Sequence, residues 1–183
     1  MKRMFWVDLE MTGLDVESCV ILEVAAIVTD LELNFLAEYA RVVQQPQEVL
    51  DTMDAWCVKT HGESGLSAEV PTGTPLAQVE DDLLALLGCH FAAEERVVLC
   101  GNSIHQDRLF INRYLPRLAA RLHYRMVDVS SFKEVFRSRY GIQWDKANNH
   151  RALQDTRESI RELAEYLRHV QPPATASGGP GDA

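Results

Sequence analysis

The order of strand-like and helical segments is the feature of this sequence that most constrains its fold. Three strand-like segments, residues 4–9, 21–29 and 36–43, come before the first long helical pattern. The turn-like sequence DLELN (30–34) separates the last two, which favours a meander of three antiparallel strands. After these strands, helical and strand-like segments alternate along the chain. This order predicts an α/β fold with a mixed sheet covered by helices.

Apolar spacing divides the second half of the chain. Apolar residues at helical intervals predict three long helices, over residues 75–91, 104–114 and 151–170. RVVLC (96–100) is typical of a short buried strand, and MVDVSSFKEVF (126–136) of a strand that runs into a helix. In that helix Ser131 and Glu134 have the spacing of a capping box. With the first three strands, these two complete a five-stranded sheet.

Length and composition indicate one folded domain. The 183 residues are about the size of a single domain, and 46% of them are hydrophobic, which suffices for a substantial core. We expect that domain to cover residues 1–170. Residues 171–183 are rich in proline, glycine and serine and lack core-forming side chains, so we expect a disordered tail there.

The cysteines and the N-terminal sequence indicate in which cellular compartment the protein works. The four cysteines are widely spaced, with no CxxC motif, and we interpret them as reduced and mostly as packing residues. The first apparent strand begins within a few residues of Met1, so we expect no leader. No apolar run approaches the roughly 18 residues of a membrane span. These features predict a cytoplasmic protein that does not bind membranes.

The net charge of −9 limits the choice of partner. A protein that binds duplexes without regard to sequence needs a basic face to displace counterions, and this composition argues against one. A small anionic substrate remains possible when bound cations reverse the local sign of the field.

Two acids, Asp8 and Glu10, stand at the end of the first strand, in FWVDLEMTGL (5–14). Pairs of acids with this spacing are about as frequent in the chain as chance predicts, but the other pairs lie in turn-like or helix-surface sequence. Side chains alternate along a strand, so Asp8 and Glu10 point to the same side. Like charges at the edge of a core repel each other and lose hydration, and we therefore expect a positive group beside them.

Asp107 and Asp155 occupy similar places at the starts of predicted helices. Asp107 follows the strand RVVLC within GNSIHQD, where Asn102 or Ser103 could cap the helix. Either acid could be an ordinary first-turn residue favoured by the helix dipole. Alternatively, the acids at the ends of buried elements converge on divalent cations. Their hard oxygen ligands suit Mg²⁺ or Mn²⁺.

His150 has an ordinary and a functional interpretation. Among asparagines, a histidine is by default a surface or capping residue. If the last helix starts near Arg151, however, His150 lies in the preceding loop and could lean over a site that Asp155 enters. A histidine with a pKa near its usual value of about 6.5 can take a proton from water near neutral pH.

The order of these residues resembles that of the DEDDh 3′→5′ exonucleases. The pattern is Asp8-x-Glu10 on a strand, Asp107 after a Gly-Asn-Ser turn, and His150-x4-Asp155 at the last helix. The surrounding sequences DLEMTGLD, MDAWCVKTHGESGL, GNSIHQD, HYRMVDVSSFKE and NHRALQDTRES are similar to those of oligoribonucleases. The resemblance extends from about residue 5 to residue 166. One departure is Gln106, which precedes Asp107 where the wider DEDDh pattern has an aromatic residue.

The resemblance implies a ribonuclease H-like fold and a homodimeric 3′→5′ exoribonuclease. Its substrates would be short single-stranded RNAs, from dinucleotides to about five nucleotides, and its products 5′-nucleoside monophosphates. Two divalent cations, Mg²⁺ or Mn²⁺, would be bound by four acids: Asp8, Glu10, Asp107 and Asp155. His150 would accept a proton from the attacking water.

The resemblance also implies a set of substrate-binding residues: Leu14, Trp56, His61, Ser103, Tyr124 and Arg125. In that family the equivalent of Leu14 wedges between the two bases, and Tyr124 would come from the partner subunit. Trp56 and His61 would line the base and phosphate ends, and Ser103 and Arg125 would bind the 5′ phosphate. The alternatives are that Trp56 is a core residue and that Arg125 is a surface ion-pair partner.

Two rival functions remain. A DNA proofreading exonuclease subunit would use the same chemistry on longer substrates, against which the absence of a basic track weighs. A non-catalytic RNA-binding or scaffold protein on the same fold could lose any of the acids without penalty, yet all five catalytic residue types are present.

Overall fold

A computed structural model describes residues 2–144 and 150–170 of the chain. Its five strands are β1 (Arg3–Met11), β2 (Ile21–Asp30), β3 (Phe35–Val42), β4 (Val97–Gly101) and β5 (Leu122–Asp128). Its eight helices are α1 (Gln47–Leu50), α2 (Ala55–Glu63), α3 (Leu66–Glu69), α4 (Leu76–His90), α5 (Ile104–Tyr114), α6 (Pro116–Ala119), α7 (Val129–Tyr140) and α8 (Ala152–Arg168), and a 3-10 turn covers Val70–Thr72. The predicted tail, residues 171–183, lies outside the described residues.

The strands form one mixed sheet in the order β3-β2-β1-β4-β5. β1 pairs antiparallel with β2, and β2 with β3, so the predicted meander is confirmed. β1 and β4 pair in parallel, as do β4 and β5. The predicted α/β class and ribonuclease H-like arrangement are therefore confirmed, and β1 lies at the centre of the sheet.

The alternating side chains of β1 enter two different cores. Phe5, Val7 and Leu9 pack on one face with apolar residues of α4 and α5. Met4 and Trp6 pack on the other face with apolar residues of α7 and α8. Because Asp8 and Glu10 continue the series of Trp6, their side chains point toward the α8 face. β1 is therefore packed on both faces next to Asp8 and Glu10.

The sequence located the edge strand and its following helix cap inaccurately. β5 begins at residue 122, four residues before the predicted strand, because an edge strand with alternating polar residues lacks an apolar run. The capping-box prediction is wrong. Asp128 caps α7 by accepting a hydrogen bond from the Ser130 amide, and Glu134 instead bonds Arg137. Ser103 occupies the N-cap of α5, but its side chain makes no capping hydrogen bond.

The four cysteines form no disulfide with one another; Cys57 and Cys100 are buried, Cys19 is half-buried and Cys89 is exposed. Among the described helices, none combines the length and the apolar character that crossing a bilayer requires.

Candidate active site

Three of the predicted acids come together where β1 meets the start of α8. Asp8 and Glu10 on β1 and Asp155 in the first turn of α8 each offer a carboxylate oxygen, and these oxygens lie within 4.8 Å of one another. Asp155 is buried, and the two β1 acids are half-buried. The packing of α8 against β1 and β2 sets this distance. Residues almost 150 positions apart in the chain thus share one small volume.

Asp107 approaches the same part of β1 from α5. Its Oδ1 accepts a hydrogen bond of 2.9 Å from the backbone amide of Leu9, the residue between the two strand acids. Asp107 is buried in the first turn of α5, where the helix dipole favours a negative charge. It is not one of the three acids whose oxygens cluster most closely. The structure therefore places the fourth predicted acid beside the other three, fixed to the strand that carries two of them.

The donor set fits hard divalent cations. Carboxylate oxygens from two strand positions and two helix starts are the ligands that Mg²⁺ and Mn²⁺ prefer. Like charges held this close, partly out of water, are costly unless a cation lies between them.

His150 lies in the loop before α8, next to a tryptophan. Its backbone has a φ of 47°, and its ring makes an edge-on contact with Trp56 at 5.6 Å between centroids. Trp56 is 61% exposed on α2, so its alternative interpretation as a core residue is wrong. The contact brings α2 and the start of α8 together at the opening of the site.

A cleft of about 500 Å³ leads from this opening along the end of β1. Its walls carry three of the predicted substrate-binding residues, namely Leu14, Trp56 and His61, together with Glu10. Leu14 is 72% exposed, so it offers apolar surface to whatever occupies the cleft. The volume falls in the range of clefts that hold small ligands.

His61 is buried within the wall of the cleft. Its Nε2 lies 2.9 Å from the Met11 carbonyl, to which it donates, and its Nδ1 lies 3.9 Å from Glu10 Oε2. Burial lowers the pKa of His61, which disfavours the charged form of the ring beside Glu10.

The other three predicted substrate residues lie outside the cleft walls. The Ser103 amide donates to Asp128 at 3.0 Å, directly after β4. Tyr124 is 74% exposed on the edge strand β5, where its ring stacks on His123 and lies under the Arg125 guanidinium at 5.3 Å. Arg125 is thus held by a cation–π contact.

Sequence reasoning missed a pair that fixes the start of α8. Glu23 in β2 is only 3% exposed, and Arg151 bonds its carboxylate through Nε and Nη2. These hydrogen bonds raise the pKa of Arg151 further above its ordinary value. The available signal was the single acid in the apolar run ILEVAAIV, because a buried carboxylate requires a partner.

Gln106, where the wider DEDDh pattern has an aromatic residue, makes a contact that the sequence did not predict. Its Nε2 donates to the carbonyl of Leu14, which connects the first turn of α5 to the turn after β1. The side chain at this position therefore supports a wall of the cleft.

Comparison with known proteins places this geometry in a family. The family model described as exonuclease (RNase_T) matches residues 5–163. The chain therefore belongs to the exonuclease family. Human mitochondrial oligoribonuclease is 43% identical over 175 residues, which span 92% of this chain and 73% of the human protein. Oligoribonuclease of Francisella tularensis subsp. holarctica is 44% identical over 172 residues, spanning 92% and 96% of the two chains. The resemblance to oligoribonucleases is confirmed.

Solved structures support the fold. Exonuclease I of Methylocaldum szegediense superposes with a TM-score of 0.71 at 20% identity, covering 94% of this chain and 42% of the other. The zinc-bound complex of E. coli Exonuclease I with single-stranded DNA gives a TM-score of 0.72 at 16% identity, with coverage of 92% and 40%. This chain spans about two fifths of those chains.

Proposed function

We propose that this exonuclease is a 3′→5′ exoribonuclease that degrades very short RNA, especially dinucleotides, to 5′-nucleoside monophosphates. The observation that carries the proposal is the gathering of Asp8, Glu10 and Asp155 within 4.8 Å, with Asp107 bonded to the same strand and Glu10 also lining the cleft. The relatives named oligoribonucleases, alike over most of the chain, support the substrate class.

The reaction is hydrolysis of the terminal phosphodiester. Asp8, Glu10, Asp107 and Asp155 would bind two divalent cations, Mg²⁺ or Mn²⁺. When bound, such cations lower the pKa of the attacking water and stabilise the leaving oxygen. His150 accepts the proton of that water while the new P–O bond forms and the bond to the 3′ oxygen breaks. The products are a 5′-nucleoside monophosphate and a chain with a free 3′ hydroxyl.

The cleft supplies the preference for short substrates. Leu14 and Trp56 present apolar and aromatic surface on which bases stack. His61 supports this wall from beneath, because it is buried and bonded to the Met11 carbonyl.

The far end of the substrate is assigned to residues around β5. Arg125 and Ser103 offer donors to a 5′ phosphate. Tyr124 belongs to the cleft of the partner subunit in a homodimer, which accounts for an aromatic ring 74% exposed on an edge strand. The four free cysteines favour a reducing compartment, and we assign the protein to the cytoplasm.

Timed hydrolysis of RNA dinucleotides tests the function. With Mg²⁺, the protein should convert a 5′-phosphorylated dinucleotide to monophosphates faster than it shortens a seven-residue RNA or the matched DNA, and a chelator should stop the reaction. Equal rates on all lengths, or a preference for long DNA, would favour a proofreading-type exonuclease. No cleavage of any substrate would favour a non-catalytic binding protein.

Arg125→Ala tests the assignment of the 5′ phosphate. The variant should lose more activity on the phosphorylated dinucleotide than on the seven-residue RNA, because only the short substrate places its phosphate near Arg125. Equal losses on both substrates would contradict the assignment.

A further inference from the structure

Glu23 is a buried carboxylate next to the proposed metal site. In the pairing of β1 with β2 it stands opposite Glu10, and it is only 3% exposed. Without a cation beside it, Glu23 would add a fifth negative charge to a region that already holds four acids. Arg151 is the cation that the described structure provides.

Arg151 contacts Glu23 in a geometry that a lysine cannot reproduce. Nε lies 3.1 Å and Nη2 lies 2.9 Å from Glu23 Oε1. The outer edge of the same guanidinium bonds Glu69 of α3, with Nη1 at 3.0 Å and Nη2 at 3.1 Å from its two oxygens. One planar group thus bridges β2 and α3, and a lysine ammonium lacks the fork that this requires.

The same pair fixes the first turn of α8. Arg151 is the N-cap residue of α8, but its own side chain makes no capping bond. Instead Glu23 Oε2 accepts a hydrogen bond of 2.9 Å from the Ala152 amide. The Arg151 carbonyl accepts a hydrogen bond of 3.0 Å from the Asp155 amide. The position of Asp155 relative to β1 therefore depends on a side chain of β2.

We propose that Arg151 is a positioning residue, which holds His150 and Asp155 in place for the reaction. His150 precedes Arg151 directly, and Asp155 lies one helical turn after it. This inference rests on the proposed function, because it assigns to Arg151 the alignment of the proposed base and of one proposed metal ligand. Arg151 acts through these two residues and not on the substrate itself.

Arg157 offers a matched control on the same helix. It bonds Glu38 at 2.7 Å, and its side chain is 28% exposed, compared with 29% for Arg151. Its ion pair also connects α8 to a strand, but that strand is β3, which carries none of the proposed site residues. A general weakening of α8 should therefore appear equally in variants of either arginine.

The test compares Arg151→Lys, Arg151→Ala and Arg157→Lys with the unaltered protein. We expect kcat on a 5′-phosphorylated RNA dinucleotide to fall roughly 10–100-fold in both Arg151 variants, with KM changed less than about threefold. Mn²⁺ binding, measured by calorimetry without substrate, should also weaken in Arg151→Ala. Arg157→Lys should stay within about twofold of the unaltered protein in all three quantities. If Arg151→Ala does not fold, the lysine variant decides.

The outcomes separate this inference from the function on which it rests. A kcat of Arg151→Lys that falls no further than that of Arg157→Lys, or a loss confined to KM, overturns the positioning role alone. An unaltered protein that leaves the dinucleotide intact overturns the proposed function, and this inference with it. A loss of kcat restricted to the Arg151 variants supports the role.

Discussion

At His150 the backbone takes a left-handed conformation that costs a non-glycine residue about 1 kcal/mol. The conformation turns the ring toward Trp56 instead of letting residue 150 extend α8 backwards. A histidine in this place can act on a ligand in the cleft without sharing the helical geometry of Asp155.

The substitution His150→Asn tests the proposed base. Asparagine tolerates the same backbone conformation but cannot accept the proton, so the single-turnover rate should fall about 10²–10⁴-fold while Mn²⁺ binding is kept. A variant with near-normal rates across neutral pH would remove His150 from this role.

The thiol of Cys57 should be unreactive despite its place in the cleft wall. Burial, with the nearby Asp54 carboxylate, raises the pKa of Cys57 to about 11, so almost no thiolate exists at pH 8. We expect Cys89, which is exposed, to react first with a thiol reagent, as followed by mass spectrometry of peptides. Cys89→Ser should abolish this fast phase, and early modification at Cys57 would contradict the prediction.

The residues of the candidate site could be recognised from the sequence to different extents. Asp8 and Glu10 were recognisable because they interrupt the end of an apolar strand. Glu23 interrupts such a strand too, but its partner Arg151 is 128 positions away in the sequence. Local sequence patterns cannot predict a contact between residues so far apart in the chain. Leu14 was found only through the resemblance to a family, since nothing in its sequence neighbourhood separates an exposed leucine from a buried one.

Among the elements, α8 carries both the site and a buried polar network. Asp155 lies at its start, and Glu162, fully buried two turns later, accepts hydrogen bonds of 2.7 Å from Asn102 and from the Tyr166 hydroxyl. The network connects α8 to the turn after β4, from which α5 and Asp107 continue. The two helices that deliver acids are thereby fixed to each other.

Tyr166→Phe should destabilise the fold by about 1–3 kcal/mol, because the buried Glu162 carboxylate loses a donor. Tyr140→Phe is the control, since Tyr140 is 57% exposed on α7. Urea unfolding of the two variants measures the difference. Equal stability of the two variants would show that the Tyr166 hydrogen bond contributes nothing to the free energy of unfolding.

Helices and strands were predicted with unequal success for a physical reason. Helices α4, α5 and α8 bury a continuous stripe, which leaves a helical period in the sequence. Strand β5 is an edge strand with its polar residues exposed, and its start was missed. The α7 cap is Asp128, the last residue of β5, and not the capping box that the spacing of Ser131 and Glu134 suggested.

At the scale of the whole molecule, the proposed divalent cations connect the net charge of the chain with its action on an anionic substrate. A chain with a net charge of −9 repels an anionic substrate, and four of its acids lie together at the site, where the repulsion is strongest. The proposed divalent ions would reverse the local sign of the field when bound. They would then both stabilise the acidic cluster and attract a phosphodiester to it.

The overall architecture could be predicted because the order of elements and the order of motifs agree. The meander, the parallel strands and the helices together specify one arrangement of the fold. In it, the C-terminal end of β1 meets the starts of α5 and α8. The sequence could not supply the separations between side chains, such as 4.8 Å among three carboxylates, because these depend on packing between distant segments.

Calorimetric titration of the pure protein with Mn²⁺, beside Asp8→Asn and Asp155→Asn, tests the central claim most directly. We predict divalent uptake by the unaltered protein and at least a tenfold weaker affinity in each variant, since each removes one charged ligand. Absence of uptake by the unaltered protein even with a nucleoside monophosphate present, or unchanged uptake by both variants, would contradict the assignment of these acids to a cation site.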